Sequence, residues 1–142
     1  MKERGLPVYT YDLSSFLAVD SEHPEADIEG ATRIGDRIYW ITSHGRNKDG
    51  KIRPSRYRFF ATSIETEGDE IKITPIGSTC TTLVHSLVKC SWSSKLGLEK
   101  ATRLYTTKLK GKELKRLAPK EEGLNIEAVS YTHLTLPTTP YV

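Results

Sequence analysis

The chain has 142 residues, 37% of them hydrophobic and 27% charged, with a formal net charge of +3. That balance predicts one folded domain and excludes a disordered chain, and no apolar run approaches the roughly 20 residues of a membrane helix. A pI near 8.8 permits contact with anions but does not argue for nucleic acid.

The charge is unevenly placed. Residues 1–30 are acidic, and residues 31–128 are basic. Met1 to Arg4 are followed by Gly5 and Pro7, with no apolar core of a signal peptide. A cytoplasmic location is expected if Met1 is the true start, and an exported one if a signal peptide precedes it. Cys80 and Cys90 match no zinc spacing and are expected to be free thiols.

Residues 8–12, VYTYD, alternate weakly and predict a first strand. A short apolar patch over 14–19 and an acidic loop with Asp20, Glu22 and Glu25 follow. A hairpin comes next, with arms over 28–34 and 37–42 around the two-residue turn of Gly35 and Asp36. Residues 43–55 form a polar loop. Residues 57–66 are rich in aromatic and β-branched side chains and predict a third strand. Gly68 and Asp69 make another turn. Residues 71–76 then alternate as a fourth strand, whose proline and charges suit a sheet edge.

Four short strands over 28–76 match the period of a propeller blade, roughly 40–50 residues. From 79 to 118 the leucines fall at helical spacing, which predicts two or three helices interrupted at Ser93-Ser94 and at Gly111. The segment NIEA at 125–128 echoes DIEG at 27–30 and predicts the opening strand of a next blade over 123–128.

The reading is therefore mainly β with an inserted helical segment, a partial β-propeller. Residues 1–128 would hold about one four-stranded blade plus the first strand of the next. Closed propellers use roughly four to eight blades, so further carboxyl-terminal blades are expected to be needed. The end of the chain, 129–142, lacks any acid or base, and its string VSYTHLTLPTT resembles translated sequencing-adapter read-through. It is expected to be a non-native tail.

The stretches ADIEGA, GDRIYWITSHGRNKDGKIRP, RYRFFAT and LAPKEEGLNIEA together resemble bacterial domain-of-unknown-function family number 3616. The resemblance covers most of residues 20–128 and departs from the family pattern at Ala128, where a second glycine would be expected. It implies a longer β-propeller-like fold and carries no established activity.

Two groups of residues carry the chemical expectations. Residues two apart on a strand share a face, so Asp27 pairs with Glu29 and Asn125 with Glu127. If both faces meet a central channel, their oxygens form a hard-cation site for calcium or magnesium. The carboxylates of Asp27, Glu29 and Glu127 could equally serve as general acid and base. The second group is the loop of Ser43, His44, Arg46, Asn47 and Lys48. Six bases against one acid over 44–58 predict an anion pocket. His44, titrating near neutral pH, would orient the anion.

The function expected is hydrolysis of an anionic small molecule such as a phosphate ester. The alternative is a non-catalytic ligand- or protein-binding propeller in which these carboxylates only anchor blades; the alternative for the loop is a solvated one whose bases pair with the acidic segment 20–29. Trp40 is expected to pack between blades and Trp92 to pack under the helical cap. The basic helix face over 100–116 is read as ordinary solvated surface, without nucleic acid.

Overall fold

The computed structural model describes residues 9–127 apart from Thr107. Expectations placed on Val8, Ala128 and the 129–142 tail fall outside them. The architecture is mainly β: one four-stranded antiparallel sheet with a few short helices. The strands are β1 (Ile28–Ile34), β2 (Arg37–Thr42), β3 (Phe59–Glu67) and β4 (Glu70–Cys80), in the spatial order of the chain.

Tight turns dictate this meander. Two-residue connections at 35–36 and 68–69 join neighbours whose registers run Ile34 opposite Arg37 and Glu67 opposite Glu70. β4 is an edge strand, as its proline and charges predict. It runs four residues beyond the expected end at Ile76. The ladder steps from the Ala61–Ile76 pair to the Phe59–Cys80 pair, so two extra residues bulge out of β4 beside Gly77.

Alternation puts apolar side chains on both faces of the sheet. Trp40 stacks on Phe60 at 6.1 Å, and its indole N–H donates to the Thr62 hydroxyl at 3.0 Å. On the other face Tyr39 stacks on Phe59 at 6.4 Å. Helix α1 (Ser14–Leu17) seats Phe16 edge-on against Phe60.

The helical segment comprises α2 (Leu83–Val88), α3 (Leu98–Thr102) and α4 (Gly111–Lys115), with a 3-10 turn at Ser93–Leu96. Ser93 and Ser94 fall in the interval between α2 and α3, as expected, and this 3-10 turn fills part of it. The Ser93 hydroxyl donates to Val88 O at 2.7 Å, which joins that turn to α2. Gly111 closes the second interruption and opens α4. Trp92 is 44% exposed and does not pack under the cap.

Two predicted strands do not form. Residues 9–12 have no regular structure; Tyr9 and Tyr11 donate their hydroxyls to Asp69 O and Ile71 O, on the open side of β4. Residues 124–127 are not a strand either. A Cβ on Gly123 would lie 2.1 Å from Leu117 O, so the chain passes hard against the turn after α4 at this point. Both cysteines are free thiols. No helix among the described residues is long and apolar enough to cross a membrane.

The best-buried part of the molecule is polar. Thr42, Ser43, His44, Arg46, Ser55 and Arg58 are all buried, while the buried hydrophobic side chains are Leu17, Phe60, Val84, Leu117 and Ala118. The loop between β2 and β3, read from sequence as solvated or ligand-facing, is the hub of the fold.

Candidate functional site

The hub forms because the backbone continues to pair after β2 ends. Thr42 N donates to Arg58 O at 3.1 Å, and His44 N donates to Arg56 O at 3.0 Å. The Thr42 hydroxyl accepts from Arg58 N at 2.9 Å. The far end closes on Asn47, whose Oδ1 accepts from the N–H groups of Asp49 and Lys51 at 3.0 and 2.8 Å. Asn47 is therefore committed to shaping the loop.

Ser43 joins the two echoing segments, at Asp27 and at 125–127. Its N–H donates to Asp27 O at 2.9 Å, and its carbonyl accepts from Ile126 N at 2.8 Å. The Ser43 side chain is fully buried and accepts from Gly45 N at 3.3 Å, so its role is internal. A Cβ on Gly45 would stand 3.0 Å from Asn125 Oδ1, which puts the 124–127 segment directly against the loop.

The strict face-sharing argument for Asp27 and Glu29 does not hold. Asp27 lies in the left-handed region at φ 59°, and β1 bulges between Ile28 and Gly30. The acids nonetheless gather. Loss of solvation, with the neighbouring charges of Glu127 and Asp27, raises the Glu29 carboxyl above its ordinary 4.5, and Arg56 only partly opposes this. Asn125 Nδ2 donates to Glu127 Oε1. Arg56 binds Glu25 at 2.5 Å and Asp27 at 3.4 Å. That pairing agrees with the alternative of loop bases meeting the acids of 20–29. No group of three or more His, Cys, Asp or Glu side chains among the described residues is arranged to hold a metal ion.

His44 departs from its expected role. Its ring is 1% exposed and meets the Tyr57 ring edge-on at 5.7 Å. The 2.8 Å contact from Nδ1 to Thr42 O makes Nδ1 the protonated nitrogen, since a carbonyl can only accept. Nε2 is buried without a hydrogen-bond partner among the described residues. Burial, with Arg58 nearby, holds the imidazole below its ordinary 6.5 despite the bond to Thr42. His44 is a neutral structural group at neutral pH and not a titrating anion ligand.

A pH dependence follows. The unfolded chain takes up a proton on His44 near pH 6.5, whereas the folded chain resists it. The unfolded state then binds more protons, so the stability that neutral His44 contributes is complete above pH 6.5 and lost as pH falls towards the folded value. Thermal melts from pH 8 to pH 5 should show a steeper fall in Tm for the wild type than for His44→Gln. Parallel curves would remove His44 as the source.

Arg46 and Arg58 are buried arginines held by carbonyls. Arg46 donates to Gly50 O at 3.0 Å and to Thr102 O at 2.8 Å, tying the loop to α3. Burial lowers both guanidinium groups from their ordinary value. Arg46 also lines a cleft of about 370 Å³ with Lys48, Arg56, Ala118, Pro119, Lys120 and Glu121. Of the five residues expected to form the anion pocket, Arg46 and Lys48 reach this cleft, and Ser43, His44 and Asn47 do not line it. The reasoning from sequence missed Lys120, which lies beyond the loop and carried no signal connecting it to residues 44–58.

No protein-family model matches the chain, nor does any curated protein or solved structure.

Proposed function

We propose that the chain contributes a blade to a β-propeller, as its resemblance to family number 3616 implies, and that the propeller is a hydrolase acting on an anionic small molecule. The meander order and the two apolar faces support the blade; further sheets would cover those faces. The observation that carries the chemistry is the pair of hydrogen bonds through Ser43, which holds Asp27 beside the 125–127 segment.

In this reading Glu127, steered by Asn125, takes a proton from water as the water oxygen attacks the ester. The bond to the leaving oxygen breaks, and the acid form of Glu29, favoured by loss of solvation and by the charges of Glu127 and Asp27, gives that oxygen its proton. Asp27 raises Glu29 and anchors Arg56. Calcium or magnesium at this edge is part of the proposal. The carboxylates do not form a ligand group by themselves, so no step is routed through an ion.

Glu29→Gln tests the site in two ways. A carboxyl held above its ordinary value supports folding fully below pH 4.5, and that support is lost as pH rises through the folded value. The substitution should therefore raise Tm at pH 7. It should also lower hydrolysis of 4-nitrophenyl phosphate by about 10²-fold or more, the usual cost of a lost general acid. An unchanged rate would favour the non-catalytic reading, in which Glu25 and Asp27 serve only to anchor Arg56. Calcium-dependent stabilisation that Glu29→Gln abolishes would support the cation.

A further inference from the structure

We infer that the cleft between the loop and the turn after α4 is a binding site for a phosphate monoester, seated by Lys48 and Lys120 against Arg46. As the seat of the substrate this rests on the hydrolase reading; as an anion site it stands on the cleft alone.

The cleft brings together four cationic side chains, Arg46, Lys48, Arg56 and Lys120, and one carboxylate, Glu121. They are not equivalent. Arg56 is compensated by Glu25 and Asp27. Arg46 is 7% exposed, is fixed by two carbonyls and has no carboxylate partner among the described residues. A buried charge without a counter-charge is costly, and an anion in the cleft would offset that cost. Lys48 and Lys120 are exposed and form no ion pair among the described residues. They approach from different segments, one in the loop and one past α4.

Setting Glu121 against one base leaves a surplus of two positive charges from Arg46, Lys48 and Lys120. A phosphate monoester carries about −1.5 to −2 at pH 7 and three acceptor oxygens, so it matches that surplus better than a monocarboxylate. Ala118 and Pro119 add an apolar wall for the organic part. A concave volume of about 370 Å³ is the size of a small-molecule site rather than a nucleic-acid surface.

Calorimetry on the full chain at pH 8 and low salt tests this with inorganic phosphate, phenylphosphonate and benzoate. Phenylphosphonate should bind most tightly, and Lys48→Glu with Lys120→Glu should weaken it at least tenfold while Tm stays unchanged. Benzoate binding as well as phenylphosphonate, or affinity unchanged in the double variant, would overturn the site. Equal affinity for phosphate and phenylphosphonate would overturn the ester in favour of free phosphate. The two readings fail separately. Binding without turnover of 4-nitrophenyl phosphate sinks the hydrolase and leaves the cleft. Turnover with an unchanged KM in the double variant sinks the cleft.

Discussion

Arg58→Ala should destabilise the protein by about 3–5 kcal/mol and release the α1 segment from the sheet. The Arg58 guanidinium donates to four carbonyls: Leu17 at 2.7 Å, Ala18 at 3.0 Å, Pro54 at 2.7 Å and Tyr57 at 3.0 Å. It is only 6% exposed, so removing it strands acceptors that water cannot readily reach. Leu17 and Ala18 are held by this anchor, Phe16 is held separately by the Thr79 hydroxyl donating to its carbonyl at 3.3 Å, and the Phe16–Phe60 contact should loosen when Arg58 is lost. Arg58→Lys should recover part of the loss, because one ammonium cannot span four carbonyls that a planar fork reaches. Urea denaturation followed by tryptophan fluorescence is suitable, since Trp40 stacks on Phe60. A loss below about 1 kcal/mol for the alanine variant would mean these bonds contribute no more than surface contacts.

Gly50→Ala should cost about 2–4 kcal/mol, for a steric reason. Gly50 sits at φ 78°, where a side chain is strained. Its missing Cβ would lie 1.7 Å from Leu114 O, a backbone atom of α4 that cannot swing aside. The loop must lift, which breaks the Arg46 bond to Gly50 O and separates the cleft walls. Gly35→Ala is the control, with a similar φ of 63° but nothing within 4 Å of the added atom. The difference in urea midpoint between the two variants isolates the clash from the backbone strain. Equal losses would show that α4 does not press on the loop.

The strands were the most readable part. Both arms of the first hairpin end where their turn chemistry predicts, because Gly35 and Asp36 leave no room for an alternative register. The third strand begins two residues late because Tyr57 closes a 3-10 turn and Arg58 spends its side chain on four carbonyls. The loop was harder to read. Basic residues over 44–58 signal charge, but charge does not reveal its partner. Arg56 found carboxylates, Arg46 and Arg58 found backbone, and Lys48 found neither. The segments at 27–30 and 125–127 lie close together, although not by the expected route. Side-chain alternation predicted a shared strand face, and a bulge with a left-handed Asp27 replaced it.

The polar hub also has a calorimetric consequence. Unfolding raises heat capacity when apolar surface meets water and lowers it when polar surface does. In this chain much of the apolar part lies on half-buried sheet faces, while the side chains at 0–1% exposure are the hydroxyls of Thr42, Ser43, Ser55 and Thr62 and the His44 imidazole. Its heat-capacity increment should be small for its length, its stability curve correspondingly flat, and its loss of structure on cooling slight.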